Sequence, residues 1–215
     1  MKAIKLASMP TIKRLPSYLL IVESALREER PYISATVIAE ELELEPIQVR
    51  KDLAVTGIIG KPRLGFPVPE LIESINSFLA WNRRHVAFLV GTGNLGSALL
   101  GYTEFPRHGM EIVAAFDCAQ KKIGSSVNDV PVFAVSEISK LAEKYKPDLA
   151  VLTVSPRSAQ TIADEIVRAG IKAIWNFTNI RIKVPDDVTV QKEDLSSGYA
   201  VLSVKMRQSR EKNDG

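Results

Sequence analysis

The stretch that most constrains this chain is His85–Leu100, HVAFLVGTGNLGSALL. An unbroken apolar run from Val86 to Val90 stops at Gly91, and an amphipathic pattern with helical spacing starts just after Gly93 and Asn94. A buried strand, a glycine turn and a helix in that order form the setting in which G-x-G-x-x-G holds a dinucleotide pyrophosphate. Gly91 supplies the tight turn, Gly93 lets phosphates approach the backbone, and Gly96 lets the helix pack on its strand. Thr92, Asn94 and Leu95 complete the turn and bring backbone N–H groups to the helix start. Glycines also end strands for purely structural reasons, so the motif needs company. Glu111–Asp117 (EIVAAFD) provides it, as a second buried strand that ends in an acid about 20 residues beyond the glycines. Asp117 is placed to accept hydrogen bonds from an adenosine ribose. Its charge would repel a 2′-phosphate, so the expected cofactor is NAD(H) rather than its phosphorylated form.

Downstream, strand and helix alternate. Strands are predicted at Val130–Ala134, Asp148–Val154, Ala173–Asn176 and Val188–Gln191, and helices at Leu95–Glu104, Ser136–Lys144 and Arg157–Ala169. This alternation specifies an α/β fold with a Rossmann-like, doubly wound, mostly parallel sheet. Tyr102 after the first helix, and Thr153 and Ser155 at the end of the fourth strand, join the expected cofactor contacts. A last helix, Asp194–Arg207, carries Leu195, Tyr199, Leu202 and Met206 at helical spacing, and a polar tail follows from Gln208.

Upstream, a short basic arm precedes an amphipathic helix, Pro10–Glu29. Ser34 then caps a short helix at Ala35–Leu42, and Pro46 opens a third that runs to about Thr56, with Gly57 closing it. Three short helices with a brief turn before the last point to a helix-turn-helix. Ile58–Val68 (IIGKPRLGFPV) is predicted to form a small basic β-hairpin, the wing of a winged helix, with Pro62 at its tip or edge. On the third helix Val49 and Leu53 share a core-facing side, with Lys51 almost opposite, Ile47 and Gln48 beside it, and Arg50 on the flank. Gln48, Arg50, Lys51, Lys61 and Arg63 are therefore the expected DNA contacts, and Ile47 suits a thymine methyl. The acids Glu40, Glu41, Glu43 and Glu45 weigh mildly against nucleic acid near the turn. The resulting division is a winged-helix domain at 1–81, a dinucleotide domain at 82–193 and a C-terminal segment at 194–215.

Composition narrows the setting without choosing a partner. A net charge of +3 permits an acidic ligand but does not argue for one. The single cysteine, Cys118, excludes an intramolecular disulfide framework, and no apolar run approaches the length of a membrane span. A cytoplasmic protein is expected. Cys118 reads as a buried or half-buried thiol.

The order of these pieces resembles the Rex family of bacterial NADH-responsive transcriptional repressors. The resemblance is carried by KRLPSYL (Lys13–Leu19), QVRKDL (Gln48–Leu53), the wing GKPRLGF (Gly60–Phe66), VGTGNLGSALLGY (Val90–Tyr102), AAFD (Ala114–Asp117), AQTIADEIVRAGIKAIWNF (Ala159–Phe177) and VPDDV (Val184–Val188). It implies a homodimer in which the C-terminal helix crosses to the partner, bound to operator DNA until NADH closes the dimer. It also implies a switch network near the nicotinamide, matched here by Arg14, Tyr102 and Asp194.

The rival readings are an NAD-dependent oxidoreductase and a regulator sensing coenzyme A or another nucleotide. An oxidoreductase needs a proton donor or acceptor at the nicotinamide. No tyrosine here has a lysine four residues later, His85 lies at the wrong end of its strand, and His108 has no evident orienting acid. No catalytic or metal-ligating residue is expected.

Overall fold

The computed structural model describes residues 7–213. Residues 1–6 of the basic arm and 214–215 of the tail lie outside the description, as do the side chains of Leu195, Lys212 and Asn213. The chain divides into two compact units, Met1–Arg83 and Arg84–Gly215.

In the first unit, helix α1 (Met9–Arg27) opens on Ser8, whose hydroxyl accepts the Thr11 N–H at 3.3 Å. Its buried face is Leu15, Tyr18, Leu19, Val22 and Ala25. Strand β1 (Tyr32–Ile33) leads to α2 (Ala35–Glu41), capped by Ser34, and α3 (Pro46–Ala54) follows with Val49 and Leu53 fully buried. Gly57 adopts φ +84° just after α3, the left-handed conformation expected of it. Strand β2 (Phe66–Pro67) and α4 (Val68–Phe78) complete the unit.

The wing differs from a free-standing hairpin. Its own pairing is one bridge, Lys61 to Gly65, around a turn that contains Pro62. The strand that leaves it, β2, pairs antiparallel with β1, so Phe66 faces Ile33. Two-residue strands bury little alone, and Phe66 gains more by joining the helical core than by extending the wing.

In the second unit, seven strands lie in the order β5-β6-β4-β3-β7-β8-β9. These are β3 (His85–Val90), β4 (Met110–Asp117), β5 (Ser126–Val127), β6 (Val130–Ala134), β7 (Leu149–Leu152), β8 (Ala173–Asn176) and β9 (Thr189–Lys192). All neighbours pair parallel except β5 and β6. The central strand β3 is flanked by β4 and β7, so the order reverses there, and the crevice beyond its carboxyl end is where such sheets hold ligands. The core is a layer of Phe88, Val90, Phe116, Ala150 and Leu152 under helix residues such as Ala159, Ala163 and Ile166.

Four local expectations change. The helix after the glycine turn is two helices, α5 (Asn94–Leu100) and α6 (Glu104–Arg107). Pro106 lacks an N–H and its ring would strike the Tyr102 carbonyl in a continuous helix, so the chain restarts with the proline near the front. The helix predicted at Ser136–Lys144 begins as a single 3₁₀ turn, Val135–Glu137, before α7 (Ile138–Tyr145). A short antiparallel pair, β5 with β6, turns through Asn128 and Asp129, both left-handed at φ +48° and +65°. That dipeptide conformation is the one a two-residue hairpin needs. After α8 (Pro156–Arg168), the final helix α9 runs from Leu195 to Asn213, well past Arg207 and through most of the supposed tail.

Candidate functional site

The glycine turn is built by close packing. Gly91 sits at φ +104°, and a Cβ there would come within 2.7 Å of the Thr153 carbonyl oxygen. A Cβ on Gly96 would overlap the Gly91 carbonyl oxygen, so this glycine brings α5 onto its strand. Gly93 is different. Its backbone is ordinary and extended, and a Cβ would meet nothing within 4 Å.

That open side gives onto a cavity of about 330 Å³, lined by Gly91, Gly93, Asp117, Lys122, Thr153 and Ser155. Phe116, Val135, Val154 and Ile162 supply an apolar wall suited to a flat heteroaromatic ring. The amides of the first turn of α5 have no partners within the helix and remain for an acceptor. The space left by Gly93 is what a pyrophosphate drawn to the backbone requires, so the residues present fit a dinucleotide.

Asp117 lines the cavity, and its carboxylate is already engaged within the protein. It is only 8 % exposed. Its Oδ2 accepts from the Thr92 N–H at 3.0 Å, the Thr92 hydroxyl at 2.5 Å and the Lys122 ammonium at 3.0 Å. Its Oδ1 accepts the Ala119 N–H at 3.0 Å. Burial alone would push the carboxyl up, but the hydrogen bonds from Thr92, Ala119 and Lys122 overcome it and hold the group well below the usual carboxylate range. Asp117 therefore clamps the glycine turn, and Lys122 compensates the charge that was to repel a 2′-phosphate. Lys122 also donates to the Thr92 carbonyl at 2.7 Å.

The other expected cofactor residues separate into groups. Thr153 lines the cavity, but its hydroxyl donates to the Gly91 and Val90 carbonyls at 2.8 and 3.1 Å and so secures the turn. Ser155 lies 3.2 Å from Ser158, and both line the cavity. Thr92, Asn94, Leu95 and Gly96 belong to the turn and helix without lining the cavity. Tyr102 is exposed, with its ring edge-on to Phe105 at 4.7 Å between centroids. Asp194 precedes α9 and caps it, accepting the Ser196 N–H at 2.9 Å. Cys118 is exposed and lines the cavity, contrary to the buried thiol expected. Sequence reasoning missed Lys122, Ser158 and the apolar wall. The only signal for Lys122 was a cation five residues after an acid across a turn. Among the described residues, no group of three or more His, Cys, Asp or Glu is placed to hold a metal ion.

In the first unit, α3 exposes Ile47, Arg50 and Lys51 together, as the helical phase required. Gln48, half-buried beside them, donates its side-chain amide to Asp52 at 2.9 Å. In the wing, Arg63 is exposed, while the Lys61 ammonium donates to the Tyr32 hydroxyl at 2.9 Å and lies 5.1 Å from that ring's centroid. Arg14 is engaged within its own unit. Its Nε and Nη2 donate to Asp52 Oδ2 and Oδ1 at 2.6 and 3.0 Å.

Asp52 is 1 % exposed. Burial would raise its carboxyl, but hydrogen bonds from Arg14, Tyr18, Thr11 and Gln48 bring it from 3.8 down to about 2. Burial, then the bond to Asp52, raises the Tyr18 hydroxyl from 10.0 to about 12. The depressed Asp52 stabilises the unit above pH 3.8, by on the order of 2 kcal/mol, and loses this as pH falls towards 2. Raised Tyr18 contributes below pH 10.0 and loses its share as pH climbs towards 12. Thermal unfolding across pH should show both limbs, and Tyr18→Phe should remove the alkaline one.

Comparison with known proteins follows the same division. A family model described as "CoA binding domain" matches residues 82–180, and one described as "Putative DNA-binding protein N-terminus" matches residues 7–54. The "Redox-sensing transcriptional repressor Rex" of Treponema denticola is 57% identical over 202 residues, 94% of this chain and 96% of that protein. The chain belongs to the Rex family. The Bacteroides fragilis Rex is 40% identical over 193 residues, covering 90% of this chain and 88% of its own. The crystal structure of RSP, a Rex-family repressor, superposes with a TM-score of 0.87 at 32% identity and covers 98% of this chain and 100% of RSP. RSP has also been solved with NADH, and with NAD⁺ and operator DNA, at the same TM-score. These Rex proteins are named for a regulatory role. The Rex fold is the one observed, a helical N-terminal unit and a largely parallel sheet.

Proposed function

We propose that the chain is a transcriptional repressor that binds operator DNA and releases it in response to NADH. The observation that carries this reading is the pairing, in one chain matched along its length by Rex repressors, of a basic helix face with a cavity at the glycine turn. In the second unit, Gly91 and Gly93 would admit the pyrophosphate, the apolar wall the adenine, and Lys122, Ser155 and Ser158 the polar groups nearby. Bound there, the dinucleotide serves as a readout of redox state. In the first unit, Lys51 and Arg50 would meet the major groove, and Lys61 and Arg63 the phosphates or minor groove at the wing. Gln48, held by Asp52, offers a fixed amide beside them.

The working form is a homodimer in the cytoplasm. Tyr199, Val201, Leu202 and Met206 of α9 are all about half exposed or more, and a helix that crosses to a partner would bury them. Arg14, Tyr102 and Asp194 would form the switch network, and reduced and oxidised cofactor act only through their different affinities for the two states. No helix among the described residues is long and apolar enough to cross a membrane.

The match to the CoA-binding model favours a second ligand, coenzyme A, on the same cavity. One titration separates the readings. DNA bound by the chain is challenged with NADH, NAD⁺, NADPH and coenzyme A in turn. Release at the lowest concentration by NADH is expected, whereas release by coenzyme A alone favours the second ligand, and no DNA binding at all ends the repressor reading. In the same assay Lys51→Ala should weaken binding by about 1–2 kcal/mol at fixed salt. Unchanged affinity would remove Lys51 from the reading face.

A further inference from the structure

The polar cluster around Asp52 joins donors from α1 and α3 on one buried carboxylate. Five hydrogen bonds converge on one carboxylate: Thr11 Oγ1, Arg14 Nη2 and Gln48 Nε2 donate to Oδ1 at 2.9, 3.0 and 2.9 Å, and Arg14 Nε and Tyr18 Oη donate to Oδ2 at 2.6 Å each. Three of the four donor residues lie on one face of α1, and the acceptor lies on α3. We propose that Asp52 is the positioning residue of the DNA-reading helix, fixing its rotation and slide against α1 so that Lys51 and Gln48 meet base edges in register. This rests on the DNA-binding reading above.

The argument is one of directionality. Val49 and Leu53 already bury the inner face of α3, and apolar packing of this kind holds a helix against its neighbour without fixing its rotation tightly. A buried carboxylate is expensive to desolvate, and well-packed apolar groups in its place are often as stable. What the carboxylate adds is geometry. Arg14 grips it through two nitrogens in a planar fork, which fixes both the angle and the distance between the helices. Asp52 lies directly after Lys51 and one turn beyond Gln48, so a small rotation there moves both reading side chains. Gln48 is bound to the same carboxylate, so its rotamer is set by the joint that sets the helix. Arg14 thereby becomes part of the reading unit, and a contact that drew it away from Asp52 would leave a buried charge short of its strongest partner.

The variant Asp52→Asn keeps the shape but replaces one acceptor oxygen with an NH₂ group that must face Arg14, Tyr18 or Gln48 donors. The probes are a duplex selected by the wild-type chain from a random pool and a shuffled duplex of the same length, both at one salt concentration. The expected result is a loss of about tenfold on the selected duplex and less than about twofold on the shuffled one. Phosphate contacts survive a rotated helix better than base contacts do. Tyr18→Phe, which removes one donor and keeps the ring, should lower the ratio by about threefold, and it decides the matter if Asp52→Asn fails to fold.

A selected-to-shuffled ratio that stays within about twofold in the folded variants overturns the proposal, as does an equal loss on both duplexes. A wild-type chain that enriches no duplex refutes the DNA reading itself. That outcome is distinct from one in which it enriches a duplex and the variants retain the preference.

Discussion

Valine at Gly93 should abolish the response to NADH while leaving DNA affinity and stability near wild type. The backbone at Gly93 has φ −70° and ψ −168°, which any residue adopts, and a Cβ there meets no atom within 4 Å. A Cβ at this position therefore strains nothing in the protein alone. Its branched side chain instead fills the side of the cavity where phosphates must come close to the backbone. Overfilling of this kind costs about 1–3 kcal/mol, and a rigid turn on one side places the loss near the top of that range, roughly a hundredfold in affinity. NADH titration followed by fluorescence measures it, with melting temperature and DNA affinity as controls. Gly96→Val makes the contrast, because its side chain would overlap the Gly91 carbonyl and should unfold the second unit outright. Retention of NADH binding by Gly93→Val would mean that the cavity takes its ligand elsewhere.

The contrast between these glycines also marks how far the sequence could be read. The packing roles of Gly91 and Gly96 were legible because strand, turn and helix are local and carry their own periodicity. The mostly parallel sheet followed from the alternation of elements, as did the burial of Val49 and Leu53 from helical phase. What escaped depends on tertiary hydrogen bonds that leave no period in the chain. Asp117 stands where a ribose acid would stand, yet Thr92 and Lys122 saturate it. Gln48 lies on the outer half of α3 by phase, yet the buried Asp52 four residues on recruits its amide. The wing was legible as basic and proline-tipped, but its strand pairs with Tyr32–Ile33, more than thirty residues earlier. The carboxyl end of α9 looked too polar for a helix because a polar helix and a polar tail share a composition.

The role found for Asp117 changes what its removal should do. A ribose acceptor replaced by alanine would relax the preference for NADH over NADPH and leave the fold alone. As a clamp, Asp117 is 8 % exposed and accepts four hydrogen bonds, two of them from Thr92 in the turn that carries Gly91 and Gly93 and the others from Ala119 and Lys122. Asp117→Ala leaves the Thr92 N–H and hydroxyl without their acceptor and Lys122 without its counter-charge. Breaking a fully buried ion pair costs about 3–5 kcal/mol. The Lys122 side chain is 32 % exposed and recovers some solvation, which brings the expected loss to about 2–3 kcal/mol. The second unit should therefore melt lower, and NADH and NADPH should both bind more weakly, since the turn loses its shape before any question of the 2′ position arises. Asp117→Asn should fall between, keeping one acceptor for Thr92 while losing the pairing with Lys122. A variant with wild-type melting and a selective gain of NADPH binding would restore Asp117 to the ribose. Parallel loss of both nucleotides with lowered melting assigns it to the turn, and leaves Lys122 as the charged group that a bound nucleotide meets at that end of the cavity.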